Sequence, residues 1–233
     1  LKELKKDAEY PYFHIDAAQA AGHLDMNVNN LGVDLMTVSS HKIRGPKGVA
    51  TLYVRRGTKI EPLIYGGGQE LDLRPATEAL PLIVGFAKAL EKTQKSKIKS
   101  QNYQENLRNY FIAGLKKNLP SARINGPKDP RDRVPHIINV IFPGIENEQL
   151  LLHLDKHGIR ASAGSACASY EIEPSHVLTA IGLSKEETRS SIRFSLGKQT
   201  TKSDLDYVLK ILPKVVKKIE ELYPTNLKKH YYT

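Results

Sequence analysis

Residues 33–48 read VDLMTVSSHKIRGPKG, and the next eight, 49–56, read VATLYVRR. The near-continuous apolar run VDLMTVSS (33–40) predicts a strand covered on both faces. HKIRGPKG breaks it with a glycine–proline turn, and VATLYVRR predicts a returning strand. Upstream, the aromatic and β-branched run YPYFHID (10–16) ends on an acid and predicts another buried strand, followed by a short helical or loop segment, AAQAAGHL (17–24). Together these elements predict part of an α/β domain with helices on both faces of its sheet. LKELKKDAEY reads as the last turns of a helix entering a strand, so the sequence is expected to start inside a domain.

Downstream, YGGGQELDLRPAT (65–77) has no periodicity and predicts an ordered, ligand-approaching loop. A long helical pattern runs from Leu80 to about Leu119, and GPKDPRDRVP (126–135) is the strongest turn or linker signal. A smaller α+β region follows. HIINVIF (136–142) predicts a strand, and NEQLLLHLDKHG predicts a helix ending at Gly158. GIRASAG (158–164) reads as strand and loop, HVLTAIGL (176–183) as a short helix and SSIRFSLG (190–197) as a strand. SDLDYVLKIL (203–212) predicts a final amphipathic helix with Ser203 as its N-cap.

With 233 residues and 40% hydrophobic content, the chain can build one sizeable core or two modest ones. Its single cysteine, Cys167, excludes an intrachain disulfide framework and a cysteine-rich zinc site. It fits a reducing compartment, the cytoplasm or, in a eukaryote, the mitochondrial matrix. No apolar run approaches the ~18 residues of a membrane span. The net charge of +10 raises the question of nucleic acid. The basic residues are scattered along expected helices without an arginine–aromatic cluster, which favours a solvated basic surface over direct nucleic-acid contact.

Four residues stand out chemically, each with an ordinary reading beside it. Asp16 ends a strand, where α/β sheets open into their ligand crevice, yet a strand-end Asp is often a helix cap. Lys42 sits where an apolar strand breaks, suiting a desolvated amine that forms a Schiff base, or an exposed turn lysine. Arg193 is flanked by Ile192 and Phe194. If these face the core, the guanidinium faces the other way, free to hold a carboxylate or simply to meet solvent. Cys167 lies among small residues in ASAGSACASYEIEPS (161–175), as a filler thiol or as a nucleophile on a loop.

In order along the chain, HIDAAQAAG, DLMTVSSHKIRGPKG, GGGQE followed by Arg74 and Thr77, GSACAS with EPS, and SSIRFSLG resemble the cysteine desulfurases of the NifS/IscS-like class. These belong to the class V aminotransferases, with pyridoxal-phosphate (PLP) fold type I. The resemblance implies that residues 1–95 form the C-terminal part of a PLP-binding large domain with a mixed, mostly parallel sheet. Residues 96–233 would form a small α+β domain carrying the cysteine loop. It implies PLP carried by Lys42, with Asp16 on the pyridinium nitrogen and Gln19 on the phenolic oxygen. Ser39 and His41 would hold the phosphate, and Thr77 would reach the phosphate of a neighbouring subunit, hence a homodimer. Arg193 would bind the carboxylate of L-cysteine. Lys42, His41 and Cys167 would form the catalytic set, with Cys167 taking sulfur as a persulfide and serving as a transient iron-sulfur ligand; no resident metal is implied. The alanine released and the sulfur passed to an iron-sulfur scaffold or to tRNA thiolation complete the implied activity.

The family's earlier portion, with a phosphate loop and a ring-stacking histidine, has no counterpart in these residues. An incomplete chain acting as a binding partner is therefore the alternative, with a selenocysteine lyase and an RNA-binding module as further rivals. At Ala76 the family has glycine, and a positive φ there would cost alanine about 1 kcal/mol.

Overall fold

The apolar run around Leu35 forms β2 (Leu35–Ser39), the middle strand of a three-stranded sheet. A computed structural model describes residues 11–164 and 175–223, and the chain divides into two compact units, Leu1–Ile98 and Lys99–Thr233. In the first unit, β1 (His14–Asp16) pairs with β2 in parallel, with Asp16 opposite Thr37. The short turn after β2 sends β3 (Ala50–Val54) back antiparallel, with Ser39 opposite Ala50. Burial along β2 alternates instead of being continuous: Met36 and Val38 are buried, while Leu35, Thr37 and Ser39 are half-buried. The period-two pleat puts the polar Thr37 and Ser39 on the less covered face. Met36 and Val38 join Ala17, Ala21, Val33, Ile43 and Phe86 in this unit's core.

Two polar anchors fix the start of β2. Asp34 Oδ2 accepts the Phe13 N–H at 2.7 Å. Arg55 donates to the carbonyls of Val33 (2.8 Å) and Val28 (2.9 Å), closing the end of the short helix α1 (Val28–Leu31) against the sheet.

The turn after β2 is a 3-10 helix, Ser40–Ile43. Residues three apart eclipse one another in that geometry, so Ser40 and Ile43 go inward together while His41 and Lys42 remain exposed. The long helix α2 (Leu80–Asn118) begins against this turn through small residues. A Cβ on Gly85 would meet Pro46 Cγ at 2.7 Å. One on Gly45 would meet Ala89 Cβ at 3.2 Å.

In the second unit, β4 (Arg123–Ile124), β5 (Ile137–Ile141) and β6 (Ser191–Ser195) form an antiparallel sheet in that order. Its core combines Phe111 and Leu115 of α2, Ile138 and Val140 of β5, Ile192 and Phe194 of β6, and Leu150 and Leu154 of α3 (Asn147–Asp155). Phe111 and Phe194 meet edge to face with ring centroids 5.2 Å apart. The short helices α4 (His176–Ala180) and α5 (Lys185–Arg189) precede β6. The chain then turns into α6 (Lys202–Leu222), whose buried stripe is Leu205, Leu209, Leu212, Val215, Val216 and Ile219. Two expected helix boundaries shift. The α3 pattern stops at Asp155, before the left-handed Gly158. Thr201, not Ser203, caps α6, because Thr201 and Asp204 close a reciprocal capping box.

Pro213 sits inside α6 and cannot donate to the Leu209 carbonyl four residues earlier. Asn118 Nδ2 donates to that carbonyl instead, at 3.3 Å. Among the described residues no helix is long and apolar enough to cross a membrane.

Replacing the true cap is expected to cost about 1 kcal/mol in Thr201→Ala and only a few tenths in Ser203→Ala, measured by urea unfolding. Asn118→Ala should cost about 1 kcal/mol in the same assay, because it removes the donor that meets the part-buried Leu209 carbonyl.

Candidate functional site

Two adjacent parallel strands end on the same side of a sheet, so β1 and the end of β2 deliver Asp16 and the 39–42 turn to one edge. Asp16 Oδ1 accepts the Ala18 N–H at 2.9 Å, a local turn that fixes the carboxylate while Oδ2 takes no partner among the described residues. Gln19 is exposed in the turn that follows. Ser39 Oγ and His41 Nδ1 share a hydrogen bond of 2.8 Å, with the donor set by the histidine tautomer. Lys42 projects from the next position of the turn and is exposed.

What holds these side chains is beneath them. Gly45 N–H donates to the Ser40 carbonyl at 3.0 Å, and Ser40 N–H donates to the Val49 carbonyl at 3.3 Å. A Cβ at Gly45 would lie 2.2 Å from Ser40 Oγ, so only glycine allows this approach. Arg44 absorbs the reversal in the left-handed region, φ 66°. Sequence reading missed the roles of Ser40 and Gly45, although the GPKG stretch was the available signal.

The donor set suits PLP. A carboxylate can accept from a protonated ring nitrogen, a hydroxyl and an imidazole can meet a phosphate, and a primary amine can meet an aldehyde. Asp16, Ser39, His41 and Lys42 supply these four groups at one sheet edge.

Thr77 ends the glycine-rich loop just before α2 and is exposed. The loop folds on itself: a Cβ on Gly66 would meet Pro75 Cβ at 2.8 Å, and Gln69 Oε1 accepts the Ala76 N–H at 3.2 Å. Glu70, Leu71 and Asp72 are consecutively left-handed, and Ala76 has φ 99°. The positive φ expected at Ala76 is therefore present.

In the second unit, Ile192 and Phe194 are buried and Arg193 is half-buried between them, as alternation requires. Its Nε is buried without a hydrogen-bond partner among the described residues, a free donor suited to a carboxylate. Ser162 pairs with Arg193 in both directions: Arg193 N–H donates at 2.6 Å and Ser162 N–H donates at 3.1 Å. Ser162 Oγ donates to the Gly164 carbonyl at 2.7 Å. GIRASAG thus contributes a single bridge to the sheet in place of a strand. Cys167 lies outside the described residues.

Residues 1–208 match the family model described as aminotransferase class-V. The chain belongs to the class-V aminotransferase family. This family is PLP-dependent, and its fold is PLP fold type I. A cysteine desulfurase IscS of Clostridium botulinum is 47% identical over 213 residues, covering 91% of this chain and 54% of that protein. A solved NifS-like protein is 34% identical with a TM-score of 0.81, over 93% of this chain and 55% of that one. The structure of SspA in complex with cysteine is also 34% identical, with a TM-score of 0.59, over 82% and 51%. The chain spans about half the length of the curated relatives it matches.

Ala76→Gly is expected to stabilise the first unit by about 1 kcal/mol, by removing a Cβ from a positive-φ position. The check is the urea midpoint at unchanged m-value.

Proposed function

We propose that this chain carries the core of a cysteine desulfurase, converting L-cysteine to L-alanine with the sulfur left on Cys167. The observation that carries the reading is the gathering of Asp16, Ser39, His41 and Lys42 at the ends of two adjacent parallel strands. The cysteine desulfurase names among its relatives and the cysteine complex of SspA support this substrate.

PLP, when bound, supplies an electron sink at the substrate's α-carbon. Asp16, its orientation fixed by the Ala18 hydrogen bond, would hold the ring nitrogen. Ser39 and His41 would hold the phosphate, and Gln19 the phenolic oxygen. The Lys42 amine would carry the cofactor and serve as the base for the substrate's α-proton. Arg193 holds the substrate carboxylate through its unpartnered Nε side. The Cys167 thiolate attacks the substrate sulfur. A sulfur–sulfur bond forms as the carbon–sulfur bond breaks, the carbon keeps the electron pair and takes a proton, and alanine leaves. One thiol and one cysteine give one persulfide and one alanine, with no external oxidant. His41 belongs to both the binding and the catalytic sets.

The same reading makes the protein a homodimer, with Thr77 reaching the neighbouring subunit's phosphate. Large apolar side chains on or just before the Thr77 loop support it: Leu63 is 97% exposed, Tyr65 81% and Leu71 89%. The persulfide would go to an iron-sulfur scaffold or, for tRNA thiolation, to another acceptor protein.

The test is the visible spectrum of the chain with added PLP, then L-cysteine under reductant. The expected outcome is a cofactor band that Lys42→Ala abolishes, and sulfide release that needs Cys167. Cys167→Ser should keep the band and release no sulfide. Arg193→Lys should raise KM for L-cysteine about 10- to 100-fold, since an ammonium cannot replace a bidentate guanidinium. A wild-type chain with no band would leave the incomplete-chain reading in its place.

A further inference from the structure

The segment GPKDPRDRVP has no part in the chemistry above, yet it packs against α2 to form a half-open cleft with cationic side chains on a largely apolar floor. The cavity has a volume of about 310 Å³ and is lined by Arg108, Lys116, Lys128, Arg133 and the apolar Ile112 and Ile124, among others. Four cations therefore surround a space at the small end of ligand-site volumes. No carboxylate is among the lining residues.

Arg108 is the innermost member. It is 1% exposed, and a buried guanidinium requires compensation. Part of that comes from Glu105 (2.9 Å), Asn109 Oδ1 (3.1 and 3.2 Å) and the Arg133 carbonyl (3.2 Å). Glu105 supplies the single negative charge in that set, so it neutralises Arg108 alone. Arg133 wraps the turn, donating to the carbonyls of Pro127, Asn125 and Gly126, which orient it without neutralising it. Burial first, and then the Arg108 charge, hold the Arg133 guanidinium below its usual pKa. The neighbouring acid Asp129 is bidentate with Arg131 and so is already satisfied. Lys116 and Lys128 have no ion pair among the described residues and stand at the rim.

We propose that this cavity binds a small, multiply charged anion of the phosphate class, such as inorganic pyrophosphate or a phosphate ester. Arg133 keeps one N–H on each terminal nitrogen beyond its three carbonyl contacts, a pair that can meet phosphate oxygens. Two ammonium groups add charge at the mouth, and Arg108, its own donors largely taken, adds charge from behind. The excess of three positive charges calls for more than one carboxylate, and the apolar Ile112 and Ile124 suit the organic part of an ester. The small volume, about 310 Å³, favours a free anion over the backbone of a polynucleotide.

The test titrates the full chain with inorganic pyrophosphate by calorimetry at constant ionic strength, with a single-stranded RNA oligomer in a parallel arm. Lys116→Gln/Lys128→Gln is the reporting variant, because both residues are exposed and lie outside the core. Ser39→Ala controls for phosphate bound at the PLP-binding edge. The expected result is saturable pyrophosphate binding that becomes about tenfold weaker in the double lysine variant and is unchanged in Ser39→Ala. Absence of saturable binding would overturn the proposal. So would binding that follows Ser39→Ala instead of the lysines, or binding confined to the RNA arm.

Discussion

The approach of Gly45 to Ser40 is the contact on which the candidate site depends. A β-carbon at position 45 would lie 2.2 Å from the serine hydroxyl, so the chain can tighten into the 3-10 turn only with glycine there. Tightening buries Ser40 and Ile43 on one side, and the same three-residue period turns His41 and Lys42 outward. An ordinary α-helical start at this point would spread these side chains over a 3.6-residue period and lose the division. Exposure of the amine is thus a consequence of packing beneath it. The turn is seated in turn by α2, whose Gly85 and Ala89 leave room for Pro46 and Gly45.

The second unit uses a similar device for a different end. Gly114 lets α2 approach α6 so closely that a Cβ would stand 2.4 Å from Leu209. That closeness brings Asn118 within reach of the carbonyl that Pro213 leaves unpaired. A helix-breaking residue is accommodated by an amide from another helix, and the amphipathic stripe of α6 continues past it. One continuous helix, α2, therefore makes glycine-mediated close contacts in both units.

Much of this was legible in the sequence because it is local. Strands at 14–16, 35–39, 50–54, 137–141 and 191–195 follow from apolar runs bounded by turn residues, and the 39-residue α2 follows from sustained periodicity. Lys42, Asp16 and Arg193 were legible as positions at strand ends or on an alternating face. The positive φ at Ala76 was legible because glycine is usual there. Long-range terms were not legible. The alternating burial of β2 depends on what covers each face, and the two-residue β4 depends on β5 to pair with it. Thr201 outcompetes Ser203 as a cap because its partner Asp204 stands three residues on. Arg108 looks like a surface helix arginine in sequence, and only the return of residues 124–133 encloses it.

Ser162 connects the two chemical halves of the second unit. Its backbone is paired with Arg193 in both directions, and its hydroxyl closes on the Gly164 carbonyl. The segment leading to Gly164 is therefore held on the strand that bears Arg193. Ser162 thus fixes where the described chain leaves this sheet, beside the buried Arg193 Nε that has no hydrogen-bond partner among the described residues. A single bridge can do this without a strand because Ser162 makes both of its backbone hydrogen bonds to the same residue.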